Sequence, residues 1–275
     1  MKPAPFDYLR AASAEEALAT LAEHGDEARI LAGGQSLMPM LNMRLLQPRI
    51  IVDVSAIAEL RKIDARDGHL AVGASVTQSG LMASPGLATR SPLLASALPW
   101  VGHFQTRNRG TVCGSVAHAD PSAEIPLCLV ALEGEVVLRS TRRRRTVAAE
   151  TFFIGPLTTV RNPDEMIESV RFRLRKPGAG YAFREVAMRH GDFAITACVA
   201  VVDASGIRLA VGGVADRPVA KNWPLLKDDS LDDALNAFAW ELGGDDDQHA
   251  TARYRRDLVR RVGRLVIEEA RSCQA

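Results

Sequence analysis

The sequence predicts an α+β protein in three parts: a small α/β lobe to about Val54, a larger α/β lobe to about Lys176, and a C-terminal part of antiparallel sheet and helices. Three observations predict it. A strand-like run, Ala28–Leu31, is followed by a glycine pair and then by a helical pattern. Glycine and proline interrupt the chain at 177–180, and strand-like runs follow at short intervals. The chain then closes with helical patterns.

The first lobe is predicted from helices and strands on either side of the glycine pair. Ser13 and Glu16 form a capping-box pattern, after which apolar residues recur at helical spacing until Gly25. A second helical segment is predicted within 36–48, and the run RIIVDV at 49–54 is predicted to be a strand.

The second lobe is predicted from strands, a helix punctuated by proline, and one long loop. The loop is expected because few of its residues are apolar and many are Gly, Ser, Thr or Asn. In chain order we expect a strand at His69–Gly73, a polar-to-helical connection at 76–81, a helix at 91–101, a structured loop at 105–126, a helix at 125–132 and a strand at Glu135–Arg139.

The C-terminal part is predicted to hold three strands, at 181–188, 194–202 and 207–213. The short intervals between them favour antiparallel pairing. Helices are expected at 231–238 and 251–271, the second with one apolar face. The predicted domains are therefore 1–176, with lobes of about 1–54 and 55–176, and 177–275.

The composition excludes several classes of protein. The 275 residues include 34 Lys and Arg against 33 Asp and Glu, a net charge of +1, which gives no overall field for nucleic acid or an anionic membrane. No apolar run reaches the roughly 20 residues that span a bilayer, and the first residues lack the apolar core of a secretion signal. We therefore expect a cytoplasmic protein that binds no nucleic acid and has no membrane span.

The cysteines argue against a metal centre held by this chain alone. The four of them are dispersed and include no CxxC pair: Cys113, Cys128, Cys198 and Cys273. Iron–sulfur clusters and structural zinc need clustered ligands. Any redox cofactor is therefore expected to be held without cysteine, and we predict no metal ligands.

Two charged runs each have two interpretations. The run RRRR at 142–145 suits a phosphate or nucleic-acid patch, but no aromatic or further basic cluster supports it, which favours a solvated hairpin tip. The run DDD at 245–247 suits a metal site, but ligand spacing is lacking, which favours a solvated loop before a helix.

The first segment suited to ligand binding is AGGQSL, at 32–37. Glycines after a strand let the backbone approach an anion closely, and free N–H groups at the following helix start point at it. The pattern indicates diphosphate binding. It matches neither standard nucleotide motif, however, and a glycine pair in a tight turn is structural at least as often.

The second such segment is RGTVCGS, at 109–115, which continues through Asp120 and Glu124. Its small residues alternate with hydroxyls, which suits a backbone that wraps around phosphates and ribose. Either carboxylate could accept hydrogen bonds from sugar hydroxyls or a ring N–H. Two such loops indicate one ligand long enough to touch both, such as a dinucleotide.

Together, AGGQSL and the segment RNRGTVCGSVAHADPSAEIP, at 107–126, resemble the FAD-binding subunit of the molybdenum hydroxylases, a family that includes carbon monoxide dehydrogenase and xanthine dehydrogenase. The stretch at 181–194 is similar to the start of that family's C-terminal domain. The resemblance covers essentially the whole chain. It implies a two-lobed FAD-binding domain of the vanillyl-alcohol-oxidase type, followed by a C-terminal domain of antiparallel sheet and helices.

The resemblance also implies which residues hold FAD. The two glycine loops would hold the diphosphate, an acidic position would contact the cofactor, and an apolar, a basic and an aromatic residue would lie near its rings. The implied set is Ala32, Gly33, Gly34, Gln35, Ser36, Leu37, Thr111, Gly114, Ser115, Asp120, Glu124, Ile167 (or Met166), Arg184 and Phe193.

The chain departs from the family pattern at three positions. Two of them, Arg184 and Phe193, belong to the implied set, and the third, Cys113, lies beside Gly114. Cys113 stands where the family reads glycine, so a positive φ there would strain the loop. Its thiol is expected to be buried and tolerated rather than reactive. Phe193 replaces a tyrosine and loses a hydroxyl, whereas Arg184 replaces a lysine and keeps the charge.

The function implied by the resemblance is electron transfer by an oxidoreductase subunit. Substrate would be oxidised at a molybdenum cofactor on a large partner, and electrons would pass through iron–sulfur clusters on a small partner to FAD and then to an external acceptor. A dimer of heterotrimers is implied. The alternatives are a self-contained FAD-dependent reductase of the same fold and a scaffold without flavin. NAD, a quinone, a cytochrome and oxygen all remain candidate acceptors.

Overall fold

The first sheet is small and entirely parallel. The computed structural model describes residues 2–274 and begins with β1 (Asp7–Arg10), α1 (Ala14–His24), β2 (Ala28–Leu31), α2 (Leu37–Asn42) and β3 (Ile50–Asp53). The strand order is β1-β3-β2. Ser13 caps α1, since its Oγ accepts a hydrogen bond from the Glu16 N–H at 3.2 Å. This confirms the predicted helix start.

The second sheet has five antiparallel strands in the order β4-β5-β10-β6-β7. Its strands are β4 (Ile63–Arg66), β5 (His69–Gly73), β6 (Glu135–Arg139), β7 (Arg144–Ala148) and β10 (Met166–Arg173), and the hairpin β8 (Phe153–Gly155) and β9 (Thr158–Thr159) lies apart. The connecting helices are α3 (Gln78–Met82), α4 (Leu87–Arg90), α5 (Pro92–Ala97), α6 (Phe104–Arg109), α7 (Val112–His118), α8 (Glu124–Ala131) and α9 (Ala149–Phe152).

The prediction of a structured loop at 105–126 is wrong. The structure forms α6 and α7 there, and α8 begins at Glu124. The apolar residues are few, but Val112, Cys113 and Val116 recur at helical spacing and are all buried. Glycine, alanine and serine fill the rest of α7, so this helix can pack closely against the segments around it.

The arginine run at 142–145 begins in the turn between β6 and β7 and is largely paired. Arg143 and Arg145 both lie within ion-pair distance of Glu165, which is 1% exposed, and Arg144 pairs with Glu168. Burial opposes ionisation of Glu165, but the hydrogen bonds from Arg145 hold the pKa of that carboxyl below its usual value. The predicted hairpin is confirmed, whereas its tip is solvated only in part.

The third sheet is an antiparallel meander, as expected. Its strands are β11 (Gly180–Ala187), β12 (Ala194–Asp203), β13 (Gly206–Gly212) and β14 (Val219–Trp223), and α10 (Asp228–Glu241) and α11 (Ala252–Ser272) follow. β14 was not predicted from the sequence, because an edge strand of mixed polarity shows no clear alternation. One face of the sheet packs on α10 and α11, and the other packs on α5 and α8.

The aspartate run at 245–247 organises the start of α11. Asp246 Oδ1 accepts a hydrogen bond from the Ala252 N–H at 2.6 Å, and Asp247 Oδ2 pairs with Arg255 at 2.5 Å. These contacts assign two of the three carboxylates to helix capping and to an ion pair.

Across residues 2–274, no helix has the length and apolar character needed to cross a membrane.

Candidate functional site

A cleft of about 1020 Å³ lies between the first sheet and the helices that follow β5. On one side it is lined by the segments that leave β2 and β3. On the other side it is lined by residues around Thr77 and by residues 108, 109 and 111. Because the carboxyl ends of parallel strands meet at one edge of a sheet, the chain leaving β2 and the chain leaving β3 reach the cleft together.

The first glycine loop presents unused backbone donors to this cleft. Within the described chain, none of the N–H groups of residues 33–37 donates a hydrogen bond to another residue. Gly34 has a φ of +72°, a conformation that favours glycine. Ala32, Gly33, Gly34 and Gln35 all line the cleft, and Ser36 and Leu37 follow directly.

The second glycine loop is fixed from below by the chain after β5. Thr111 pairs with Thr77 in an antiparallel bridge, and the Val112 N–H donates to the Val76 carbonyl at 3.0 Å. The Thr111 hydroxyl accepts from the Gly114 N–H at 3.0 Å and so caps α7. Thr111 lines the cleft, and Gly114 and Ser115 follow in the first turn of α7.

The two loops touch at Gly33. A Cβ at this position would lie 2.2 Å from the Arg109 carbonyl oxygen and 2.8 Å from the Gly110 Cα. Real side chains do not approach backbone atoms this closely, so only glycine allows the contact. The structure thus brings together the two segments that the sequence analysis paired.

The cleft also holds polar side chains that the sequence analysis missed. Asp53, at the end of β3, accepts hydrogen bonds from the Tyr8 hydroxyl at 2.5 Å and the Ser55 N–H at 2.8 Å. The guanidinium of Arg61 is held by the Ser55 carbonyl beside it. The position of Asp53 at the carboxyl end of a parallel strand was a usable signal. Arg61 gave none, because the chain between β3 and β4 has no recognisable pattern.

Cys113 fits its helix without strain. It does not have a positive φ, it is 3% exposed, and its Sγ donates to the Val72 carbonyl at 3.4 Å. Burial raises the pKa of the thiol to about 12. The expectation of a buried, tolerated thiol therefore agrees with the structure, and the possible backbone strain is absent.

This burial predicts how the cysteines react. Cys273 is exposed, whereas Cys113, Cys128 and Cys198 are buried, and only an accessible thiolate reacts readily. We expect a maleimide to label one thiol per folded chain and the other three only after unfolding. Mass spectrometry of the labelled peptides, with Cys273→Ser as control, checks this. Rapid native labelling at Cys113 would contradict the assigned environment.

Five predicted residues lie away from this cleft: Asp120, Glu124, Ile167, Arg184 and Phe193. Asp120 turns the chain before α8, since its Oδ1 accepts from the Ser122 N–H at 2.8 Å. Ile167 is 5% exposed in the core beneath the second sheet. Phe193 is 67% exposed in the loop between β11 and β12.

Arg184 and Glu124 have contrasting environments. The Arg184 guanidinium pairs with Glu269 of α11 at 2.8 Å, on the face of the third sheet that is turned away from α8. Glu124 begins α8 and is 6% exposed. Burial raises the pKa of its carboxyl to about 7, so Glu124 is partly protonated near neutral pH.

The residues of the cleft fit a dinucleotide cofactor such as FAD. Unused N–H groups on one loop face the second loop across a contact that only glycine allows, and Arg61 and Arg109 add positive charge. Below the second loop, the buried Gln78 side chain has an oxygen without a hydrogen-bond partner among residues 2–274. Backbone donors and cations suit a diphosphate, since both stabilise its negative charge.

Comparison with known proteins agrees with this fit. Residues 4–172 match the model of a family described as the FAD binding domain in molybdopterin dehydrogenase. The 6-hydroxypseudooxynicotine dehydrogenase complex subunit alpha of Paenarthrobacter nicotinovorans is 36% identical over 285 residues, which cover 98% of this chain and 96% of that protein. The carbon monoxide dehydrogenase medium chain of Hydrogenophaga pseudoflava is 36% identical over 220 residues, or 78% and 77% of the two chains.

A solved structure of carbon monoxide dehydrogenase from Hydrogenophaga pseudoflava, in a form that lacks the Mo-pyranopterin moiety of the molybdenum cofactor, is similar over the full length of both chains. Its TM-score is 0.95 at 30% identity. The predicted fold class, the resemblance, the FAD cofactor and the assignment as an oxidoreductase subunit are confirmed. The chain belongs to the family of FAD-binding domains of molybdopterin dehydrogenases.

Proposed function

We propose that the chain is the medium, FAD-binding subunit of a molybdenum hydroxylase complex. In this role it takes electrons from iron–sulfur clusters on a small subunit and passes them to an external acceptor, while a large subunit with the molybdenum cofactor oxidises the substrate. The names of the relatives support the assembly, because one is a subunit of a dehydrogenase complex and another is a medium chain. We further propose a dimer of such heterotrimers in the cytoplasm.

The contact between the glycine loops is the observation that carries the FAD site. The N–H groups of 33–37 and the first turn of α7 would bind the two phosphates, and Gly33 would keep the loops close enough to do so. Arg61 and Arg109 would balance their charge. When bound, FAD supplies the ability to accept a pair of electrons and release them singly or together.

The residues outside the cleft are proposed to serve the far end of an extended cofactor. Glu124 would contact it from the start of α8, with Asp120 beside it, and Phe193 would offer an exposed aromatic face. Ile167 would support the site from the core. Arg184 would act near the rings only after leaving Glu269, because that ion pair now holds it on the α11 side.

The chain is proposed to divide by task at the connection before β11. Residues 1–176 would bind FAD with their two lobes, and 177–275 would cover the ring end and carry α11. The third sheet supports this division, since its four strands all come from after residue 176.

The purified native complex tests the proposed function. We expect the chain to be recovered with a large and a small partner, to contain molybdenum and iron, and to show the absorbance of oxidised flavin at one FAD per chain. Metal analysis, mass spectrometry and an absorbance spectrum of the same sample check this.

Two outcomes would point elsewhere. Recovery of the chain alone, with FAD and its own substrate turnover but without metals, would favour a self-contained reductase. A folded, colourless protein that does not take up added FAD would contradict the FAD site itself.

A further inference from the structure

Glu185 is a buried carboxyl without a partner. It lies on β11, and neither of its carboxyl oxygens has a hydrogen-bond partner within residues 2–274, although both are shielded from solvent. Along this strand, alternate residues point to opposite faces of the sheet. Phe183 packs into the core on the α5 and α8 side, whereas Arg184 pairs with α11. Glu185 therefore faces α8.

The sheet next to Glu185 leaves room for the start of α8. In the register of the sheet, Glu185 lies opposite Ala197 of β12, and Ala197 lies opposite Gly212 of β13. A row of small residues therefore runs beside the carboxyl. A Cβ on Gly212 would lie 3.2 Å from the Pro121 carbonyl oxygen and 3.5 Å from Leu127. The segment between these two residues thus lies directly on the row, and Glu124 is in that segment.

The charges around Glu124 and Glu185 offset those of the two carboxyls only in part. Burial, and then the charge of Glu124, raise the pKa of Glu185 to about 8. Asp120 also faces Glu124 and opposes its ionisation, and the buried Cys128 thiol lies one turn further along α8. Arg107 is the nearby cation and opposes this effect on Glu124, but it acts less strongly than Asp120. Its Nη1 donates to the carbonyls of residues 101 and 102 at 2.9 and 2.8 Å.

We propose that Glu124 and Glu185 form a buried carboxyl pair that retains a proton at neutral pH, in which Glu124 ionises first and Glu185 keeps the proton beside the cofactor site. The link to the cofactor rests on the proposed function, since it takes Glu124 as an FAD contact. The pair itself rests on the fold. Two neighbouring buried carboxyls do not both ionise readily, because burial and their mutual repulsion oppose the second charge.

Infrared spectroscopy of the FAD-free protein tests the pair. We expect a protonated-carboxyl band to persist at neutral pH and to disappear as the pH rises through the pKa values of about 7 and about 8. In Glu124→Gln the remaining band, that of Glu185, should titrate about one pH unit lower than in wild type, because the neighbouring charge is gone. It should be absent from the double variant E124Q/E185Q. A wild-type band that is absent above about pH 6, or a Glu185 band that titrates in E124Q as it does in wild type, would overturn the proposal.

Stability gives a second readout, with the sign fixed by linkage. The folded pKa of each carboxyl lies above the ordinary value of 4.5, so its contribution to stability is full below that value and is lost as the pH rises toward 8. The Tm of E185Q should therefore rise relative to wild type between about pH 5 and about pH 8, by roughly 5 °C. The exposed Glu23, substituted to Gln, is the control and should show no such change.

FAD affinity across the same pH range separates this proposal from the function it builds on. We expect binding in wild type to change as Glu124 ionises near pH 7, and this dependence to be lost in E124Q. If FAD binding does not depend on pH in wild type while the band titrates as expected, the link between the pair and the cofactor is wrong and the proposed function stands. If wild type binds no FAD but the band titrates as expected, the proposed function and this link fail, and the pair remains.

Discussion

Gly33→Ala is expected to weaken FAD binding by about 100-fold or more, which corresponds to almost 3 kcal/mol. The added methyl group would lie 2.2 Å from the Arg109 carbonyl oxygen, so the two glycine loops would have to separate. Separation moves the N–H groups of 33–37 away from the first turn of α7, and a diphosphate could no longer reach both. Titration of the FAD-free protein with FAD, followed by flavin fluorescence, gives the affinity.

Gly155→Ala is the matched control for this substitution. A Cβ on Gly155 meets no atom within 4 Å, and its φ is not positive, so the substitution tests glycine loss without a contact. It should leave FAD affinity within about twofold of wild type. Both variants should unfold cooperatively. Unchanged affinity in a folded Gly33→Ala protein would mean that the diphosphate lies elsewhere.

Arg208→Met is expected to destabilise the protein by about 1 to 3 kcal/mol. The Arg208 side chain comes from β13 and is 9% exposed. Its Nε donates to the Ala131 carbonyl at 3.1 Å, and its Nη2 donates to the Val130 carbonyl at 2.9 Å. Both carbonyls lie in the last turn of α8. The Val130 carbonyl also accepts from the Glu133 N–H at 3.0 Å, so the Ala131 carbonyl depends most on Arg208. Arg208 also pairs with the half-exposed Glu150 carboxylate. Methionine would fill similar space but would remove all of these hydrogen bonds.

Urea and thermal unfolding measure this effect, and a fall in Tm of roughly 5 °C is expected. Arg66→Met is the control, because Arg66 also lies on a strand but is 63% exposed, with its Nε 3.4 Å from Asp64. Exposed ion pairs contribute at most about 1 kcal/mol. A loss below about 1 kcal/mol for Arg208→Met would show that α8 does not depend on the third sheet for its last turn.

Much of the fold could be predicted because local patterns determine it. The predicted β2, β5 and β6 agree with the structure to the residue, and α1 begins where its cap predicts. In each case the signal lies within a few neighbouring residues: an apolar run, a capping side chain or a glycine that ends a helix. The glycine loops could be predicted for the same reason, since a backbone that approaches another segment closely requires glycine at that position.

The rest depends on contacts between distant segments. The helical nature of α7 was hidden because its small residues look like loop residues until the surrounding core is known. Arg61 reaches the cleft only because the chain after β3 lies beside its guanidinium. Arg208 donates hydrogen bonds to the end of α8 only because β13 packs on that helix. Likewise, nothing near Glu185 in the sequence shows that the start of α8 packs on the same face of the sheet. Patterns within a short stretch of sequence do not show which distant segments come into contact.

A crystal structure of the chain with FAD bound is the sharpest test of the proposed binding site. We expect one FAD in the cleft between the first sheet and the helices that follow β5, with diphosphate oxygens at hydrogen-bond distance from the N–H groups of residues 33–37 and of the first turn of α7. A diphosphate bound outside this cleft, or bound to only one of the two glycine loops, would contradict it.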